Sequence, residues 1–290
     1  MSSLWNRDTE REFFKRSLEL TTAEQLFYKT FDNRYLAYWP KRYKGLKTTL
    51  QSRNAFIGDY TEKWSLNILK EFADKIEVFA VQSVVCEEIG LNKNSPADIA
   101  LCRTNSRIQK AENILMVFEV KMSVVWNWEF LREMSELKCI GDYTSHQGNP
   151  GLLRSDTMLK ATGKSINIRV SGFEATKIPI VILGNTPITK SYYEKVDHLK
   201  KFGIIQGFWS LNPKPKDEIQ TIKNTIDYGF IRMDSYEELI RNLSILSTVE
   251  REFFSGMKTK KGLGKIIEIA NREETYKKKA EKFLSLLRVS

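Results

Sequence analysis

The run from Ile114 to Val125 constrains the fold most. It is apolar at odd and even positions alike, and only Glu119 and Lys121 carry charge. Side chains alternate faces along a strand, so a run apolar at both parities must be covered on both sides. Such a strand belongs inside a sheet sandwiched between helices. The rest of the sequence supplies the layers. Residues 77–86, 97–102, 178–184 and 203–211 read as strands, rich in β-branched and apolar residues. A helix is expected from Asp59, where Asp59 as N-cap and Glu62 three residues on resemble a capping box. Trp64, Ile68 and Phe72 form its buried stripe, widened by Leu66, Leu69, Ala73 and Ile76. Further helices are expected over 152–166 and 191–201. Strands alternating with helices give an α/β core.

Outside this core, residues 1–55 read as a helical, basic N-terminal extension. Residues 56–230 hold the core. Residues 231–290 form a helical C-terminal extension, with helices over 236–254 and 272–289 and a basic loop from Lys258 to Lys265. The three parts are expected to pack as one compact domain.

Charge and ligand chemistry narrow the function. Lys plus Arg number 46 against 36 Asp plus Glu, a net charge of +10 that suits a polyanionic partner such as nucleic acid. No stretch is long and apolar enough for a transmembrane helix, and the first residues lack an apolar signal core, so no membrane partner and no secretion signal are expected. The cysteines, Cys86, Cys102 and Cys139, are widely spaced and form no CxxC pair; a reducing cytoplasm is the expected location. His146 and His198 are the only histidines, too few for a His-rich zinc site. A bound metal would therefore rest on carboxylates and carbonyls, which favours a hard ion such as Mg2+.

The candidate chemistry lies in the charged positions of the apolar strands. Glu119 and Lys121 are two apart, so both project from one face of their strand. Burying both is costly unless they pair or hold an ion. Asp98 heads the preceding apolar strand, Ala97 to Cys102. Two adjacent carboxylates repel and are readily held by a divalent cation, and a lysine beside that ion completes a phosphoryl-transfer device. A mutually satisfied ion pair is the alternative. Other patterns fail. Thr162–Ser165 has the end of a P-loop, but Met158 stands where its first glycine belongs. Glu136–Leu137–Lys138 repeats the Glu-x-Lys triplet in a polar context without a preceding Asp-headed strand.

Pro96–Ala97–Asp98, twenty residues, then Glu119–Val120–Lys121 resembles the PD-(D/E)xK nuclease pattern, and within it the type II restriction endonucleases. Residues 59–211 follow that family's order of helix, three strands, helix and strand, and the stretch Gly141–Asp156 is similar too. Ala97, between Pro96 and Asp98, is the departure. The resemblance implies a restriction-endonuclease-like core: a mixed central β-sheet flanked by helices in αβββαβ order. It implies that Asp98 and Glu119, helped by the Val120 carbonyl, ligate Mg2+, and that Lys121 acts on the attacking water. Glu62 matches an auxiliary acidic position; a helix-capping glutamate is the alternative. Double-stranded DNA, a homodimeric partner and a cognate DNA methyltransferase follow as expectations. The resemblance also admits a repair or recombination nuclease of the same superfamily, or a DNA-binding protein without turnover on that scaffold.

Residues 147–169 are the expected DNA contacts. Asn149, Arg154, Ser155 and Asp156 offer donors and acceptors suited to base edges. Lys160, Lys164 and Arg169 suit phosphates. Lys41, Arg42, Lys44 and Lys47, interleaved with Trp39 and Tyr43, and the Lys258–Lys265 segment are further candidates for the phosphate backbone. Trp126 and Trp128 are expected to pack rather than stack on bases.

Overall fold

The computed structural model describes residues 3–45, 49–217, 221–249, 251–254 and 258–289. The apolar strands assemble as their patterning requires. β3 (Phe79–Val84), β4 (Ala97–Cys102), β5 (Ile114–Val120), β8 (Ile180–Gly184), β9 (Gly207–Ser210) and β10 (Phe230–Arg232) form one mixed sheet in the order β10-β9-β8-β5-β4-β3. The β3, β4 and β5 strands pair antiparallel, and β5, β8, β9 and β10 pair parallel. The β5–β8 and β8–β9 connections carry α4 (Ser155–Ser171) and α5 (Tyr193–Lys201), the helical crossovers usual between parallel strands.

Period-two alternation sorts β5 between two cores. Met116, Phe118 and Val120 join Ile68, Leu69 and Phe72 of α3 (Gln51–Lys75) on one face. Val117 joins Met158, Ala161 and Ile168 of α4 on the other. Burial on both sides is why this strand reads as a continuous apolar run.

α3 starts well before the expected Asp59. It runs from Gln51 without a side-chain N-cap, and Asp59 lies within it, paired to Lys63 at 2.8 Å. The helical face built around Ile57, Ile68 and Phe72 outweighs the single Gly58, so the capping-box signature is overridden. The boundary placed between residues 55 and 56 falls inside this helix.

A second, four-stranded antiparallel sheet has the order β1-β2-β6-β7. It is formed by β1 (Tyr28–Lys29), β2 (Tyr35–Leu36), β6 (Asn127–Leu131) and β7 (Glu136–Gly141). Sequence reading found neither the β6–β7 hairpin nor β10. Helices α1 (Arg7–Leu20) and α2 (Ala23–Leu26) precede it. Glu10 on α1 is fully buried. Its carboxylate accepts from the main-chain N–H of Val125 (2.7 Å) and Trp126 (2.9 Å) and from the indoles of Trp128 (2.9 Å) and Trp5 (3.3 Å). Trp126 and Trp128 are themselves buried, as expected of packing residues.

α6 (Tyr236–Thr248) completes the first of two compact units, Met1–Arg251. The second, Glu252–Ser290, contains α7 (Lys260–Ala270) and α8 (Tyr276–Val289). Thr259 caps α7 by accepting from the Gly262 N–H, so the segment read as a basic loop is largely helical. Among the described residues no helix is long and apolar enough to cross a membrane.

Candidate active site

Strand register brings the charged residues together. Ile99 pairs with Phe118 across the antiparallel β4–β5 ladder. One step toward the start of β4 is one step toward the end of β5, which sets Asp98 opposite Glu119. Asp98 Oδ2 accepts the Val120 N–H at 2.7 Å, locking that carboxylate to the partner strand. Lys121 follows β5, with its N–H bound to the Leu183 carbonyl at 2.7 Å. Its ammonium donates to Glu119 Oε1 at 2.6 Å and to the Val120 carbonyl at 3.2 Å, and lies 3.7 Å from Asp98 Oδ2.

A second ammonium completes the cluster. Lys164, on α4, lies 2.5 Å from Glu119 Oε2 and 3.3 Å from Asp98 Oδ1. Two acids and two lysines thus alternate around one centre at the ends of β4 and β5. Glu119 is 6% exposed. Burial and then the Asp98 carboxylate push its carboxyl above the ordinary value, while both lysines pull it back. Burial alone lowers the Lys164 ammonium, but Glu119 and Asp98 outweigh it and hold the group above its ordinary value.

Glu62 approaches from α3. It is no helix cap: it sits mid-helix, half-buried, and accepts from Gln82 Nε2 of β3 at 3.1 Å. Burial raises its carboxyl, the Gln82 bond opposes, and the Asp98 charge adds to the rise. It therefore senses the cluster without joining the ion pairs.

The surrounding chain is braced. Asn185, just after β8, accepts from the Ser123 N–H at 3.1 Å and donates to the Ser123 carbonyl at 2.7 Å, fixing the turn after Lys121. Gly151, at φ +51°, brings the chain ahead of α4 against this turn. A Cβ there would meet Thr186 at 3.0 Å and the Lys121 carbonyl at 3.3 Å. Gln82, Asn185 and the siting of Lys164 escaped sequence reading, since none belongs to a spaced motif.

The donor set fits a hard cation. Glu119 Oε2 is buried and held by the Lys164 ammonium at 2.5 Å. Asp98 Oδ1, Glu119 Oε2 and the Val120 carbonyl are oxygen donors of the type Mg2+ takes. Among the described residues no group of three or more His, Cys, Asp or Glu is placed to hold a metal; the candidate set is two carboxylates and one main-chain carbonyl. His146 is buried and stacked on Tyr38 at 3.8 Å. Burial pushes it down to about 4.

The expected DNA contacts divide. Asn149, Arg154, Ser155, Asp156 and Lys160 are exposed near the start of α4. Arg154 and Asp156 pair with each other at 2.7 and 3.0 Å. Lys164 belongs to the acidic cluster instead. Arg169, expected to face phosphate, is instead buried: it is 4% exposed, and its guanidinium donates to the carbonyls of Ala175, Ile178 and Ile204 and to Gln206 Oε1. It lies on the buried side of α4 and is spent on main-chain carbonyls, so it offers nothing to a phosphate. Arg169→Ala is expected to cost about 3 kcal/mol of stability, measurable by urea unfolding, because those carbonyls lose their donor.

Trp39 stacks between Tyr28 (4.5 Å) and Tyr43 (4.4 Å), with Lys41, Arg42 and Lys44 exposed beside them; Lys47 lies outside the described residues. Glu136 and Lys138, on β7, are exposed and separate from the cluster. Comparison with family models, with curated proteins and with solved structures finds no match.

Proposed function

We propose that this chain is a Mg2+-dependent endodeoxyribonuclease of the PD-(D/E)xK type, acting as a type II restriction endonuclease on double-stranded DNA. The observation that carries this reading is the face-to-face placement of Asp98 and Glu119 across β4 and β5, with Lys121 bound to Glu119 at 2.6 Å. Buried like charges held together with lysines are costly to a fold and useful to phosphoryl chemistry. The mixed sheet flanked by helices agrees with a restriction-endonuclease-like core.

In this reading Asp98, Glu119 and the Val120 carbonyl would hold Mg2+, which would supply Lewis-acid polarisation of the scissile phosphate and a more acidic water. Lys121, fixed by Glu119 and the Val120 carbonyl, orients the attacking water. Its positive charge offsets the charge that builds on the phosphoryl oxygens. One P–O bond forms to the water oxygen, which gives up a proton to solvent, and the P–O bond to the leaving sugar oxygen breaks, that oxygen taking up a proton from solvent. Glu62 and Gln82 bound the site on the α3 side. Cutting both strands of a symmetric site takes two active sites, so the acting form is a homodimer. A cognate methyltransferase would protect the host genome.

Exposed cations near α4 carry the backbone contacts. Lys160→Ala is expected to weaken DNA binding about uniformly across sequences and to reduce the salt slope of log K by about 1. Arg169→Ala leaves that slope unchanged. Filter binding in Ca2+ across a salt series measures both. The reading itself is tested by incubating the protein with unmethylated phage DNA and Mg2+. Discrete fragments support it, whereas a smear favours a nuclease without sequence preference.

A further inference from the structure

The four carboxylate oxygens of the cluster are divided between partners. Asp98 Oδ2 is taken by the Val120 N–H at 2.7 Å, and Glu119 Oε1 by the Lys121 ammonium at 2.6 Å. That leaves Asp98 Oδ1 and Glu119 Oε2. Lys164 Nζ bridges these two, at 3.3 and 2.5 Å. They are the oxygens through which a cation spanning both acids would bind. Magnesium needs its ligands at about 2.1 Å, so it and the Lys164 ammonium cannot both occupy the position between these two oxygens.

We infer that Lys164 is an internal counter-cation: it closes the Asp98–Glu119 site by occupying its metal-facing oxygens and yields them to a divalent cation. The inference rests on the nuclease reading of the site. Two features make the exchange feasible. Lys164 keeps 19% of its side chain exposed, and a lysine ammonium rides on a flexible four-carbon stem. It can therefore leave without α4 moving. Lys121 has less freedom, because it follows β5 directly and also contacts the Val120 carbonyl.

Charge gives the exchange a consequence. Two carboxylates and two ammonium groups make a formally neutral cluster. Such a cluster offers a phosphodiester no net attraction. When a divalent cation takes the place of Lys164, the site turns positive, and the released ammonium adds to it. Metal binding then gives the site the net positive charge that attracts a phosphodiester.

The test is calorimetric titration of Mn2+ into the DNA-free protein, comparing wild type, Lys164→Met, Lys164→Arg and Asp98→Asn. A site that must expel its own cation binds metal more weakly by the fraction of time it is open. Lys164→Met is expected to bind Mn2+ at least about tenfold more tightly than wild type, and Lys164→Arg to stay within about threefold of it. Melting supplies a second readout: Mn2+ raises Tm more in Lys164→Met than in wild type. Lys164→Gln replaces it if Lys164→Met does not fold. Wild-type or weaker Mn2+ affinity in the folded variant, with binding lost in Asp98→Asn, overturns the counter-cation role and leaves the nuclease reading standing. No Mn2+ binding by any of the four proteins overturns both.

Discussion

Lys121→Ala is expected to reduce Mg2+-dependent DNA cleavage by about a thousandfold, with DNA binding in Ca2+ retained. General acid–base and electrostatic groups each contribute on the order of 10²–10⁴ to a rate, and in the proposed mechanism Lys121 serves the attacking water and the developing phosphoryl charge together. The fold should survive the change. Glu119 keeps the Lys164 ammonium, and β5 stays paired to β4 and β8 on either side. Single-turnover cleavage assays give the rate, and near-UV circular dichroism checks the packing. A variant that cuts within tenfold of wild type would remove Lys121 from the chemistry.

The largest structural effect is expected at Glu10. Glu10→Ala leaves four N–H groups without their acceptor: Val125, Trp126, and the indoles of Trp5 and Trp128. A buried donor left unsatisfied costs about 1–3 kcal/mol, so the sum is about 4 kcal/mol or more, a large share of a domain's stability. The pH dependence has a definite sign. Burial raises the Glu10 carboxyl from 4.5 to about 7, against the pull of its four donors. The folded protein therefore holds this proton more tightly than the unfolded chain does. That contribution is fully present below pH 4.5 and is lost as pH rises through about 7. Across that window wild type should lose about 3 kcal/mol relative to Glu10→Gln, which does not titrate. Paired chemical denaturation at pH 4.5 and pH 8 measures it. A difference that does not change with pH would show the four N–H donors holding the carboxylate ionised throughout.

What the sequence made legible follows from periodicity. The Ile114–Val125 run demanded a doubly covered strand, and β5 is one. Charge inside that run singled out Glu119 and Lys121, and antiparallel register brought Asp98 to them. Lys164 and Arg169 read as one phosphate-binding series because linear spacing does not fix how a helix is rotated. Met158, Ala161, Ser165 and Ile168 turn α4 into the core. That rotation aims Lys164 at the acids and buries Arg169 among carbonyls. The β6–β7 hairpin stayed hidden because its outer positions are charged and its turn lacks a glycine signal. The start of α3 was misplaced because local capping chemistry is worth about 1 kcal/mol, less than the apolar face that extends the helix back to Gln51. Glu10 lies over a hundred residues from its partners on the β6 side, and no local pattern announces such a contact.

The central claim is that the Asp98–Glu119 pair supports metal-dependent hydrolysis of DNA. The most direct measurement compares wild type and Asp98→Asn on unmethylated phage DNA, each with Mg2+ and with EDTA, analysed by gel. The account predicts discrete fragments from wild type with Mg2+ alone, and intact DNA in the other three reactions. Intact DNA from wild type with Mg2+ and with Mn2+, or equal cleavage by Asp98→Asn, would contradict it and leave the cluster as a buried structural ion-pair network.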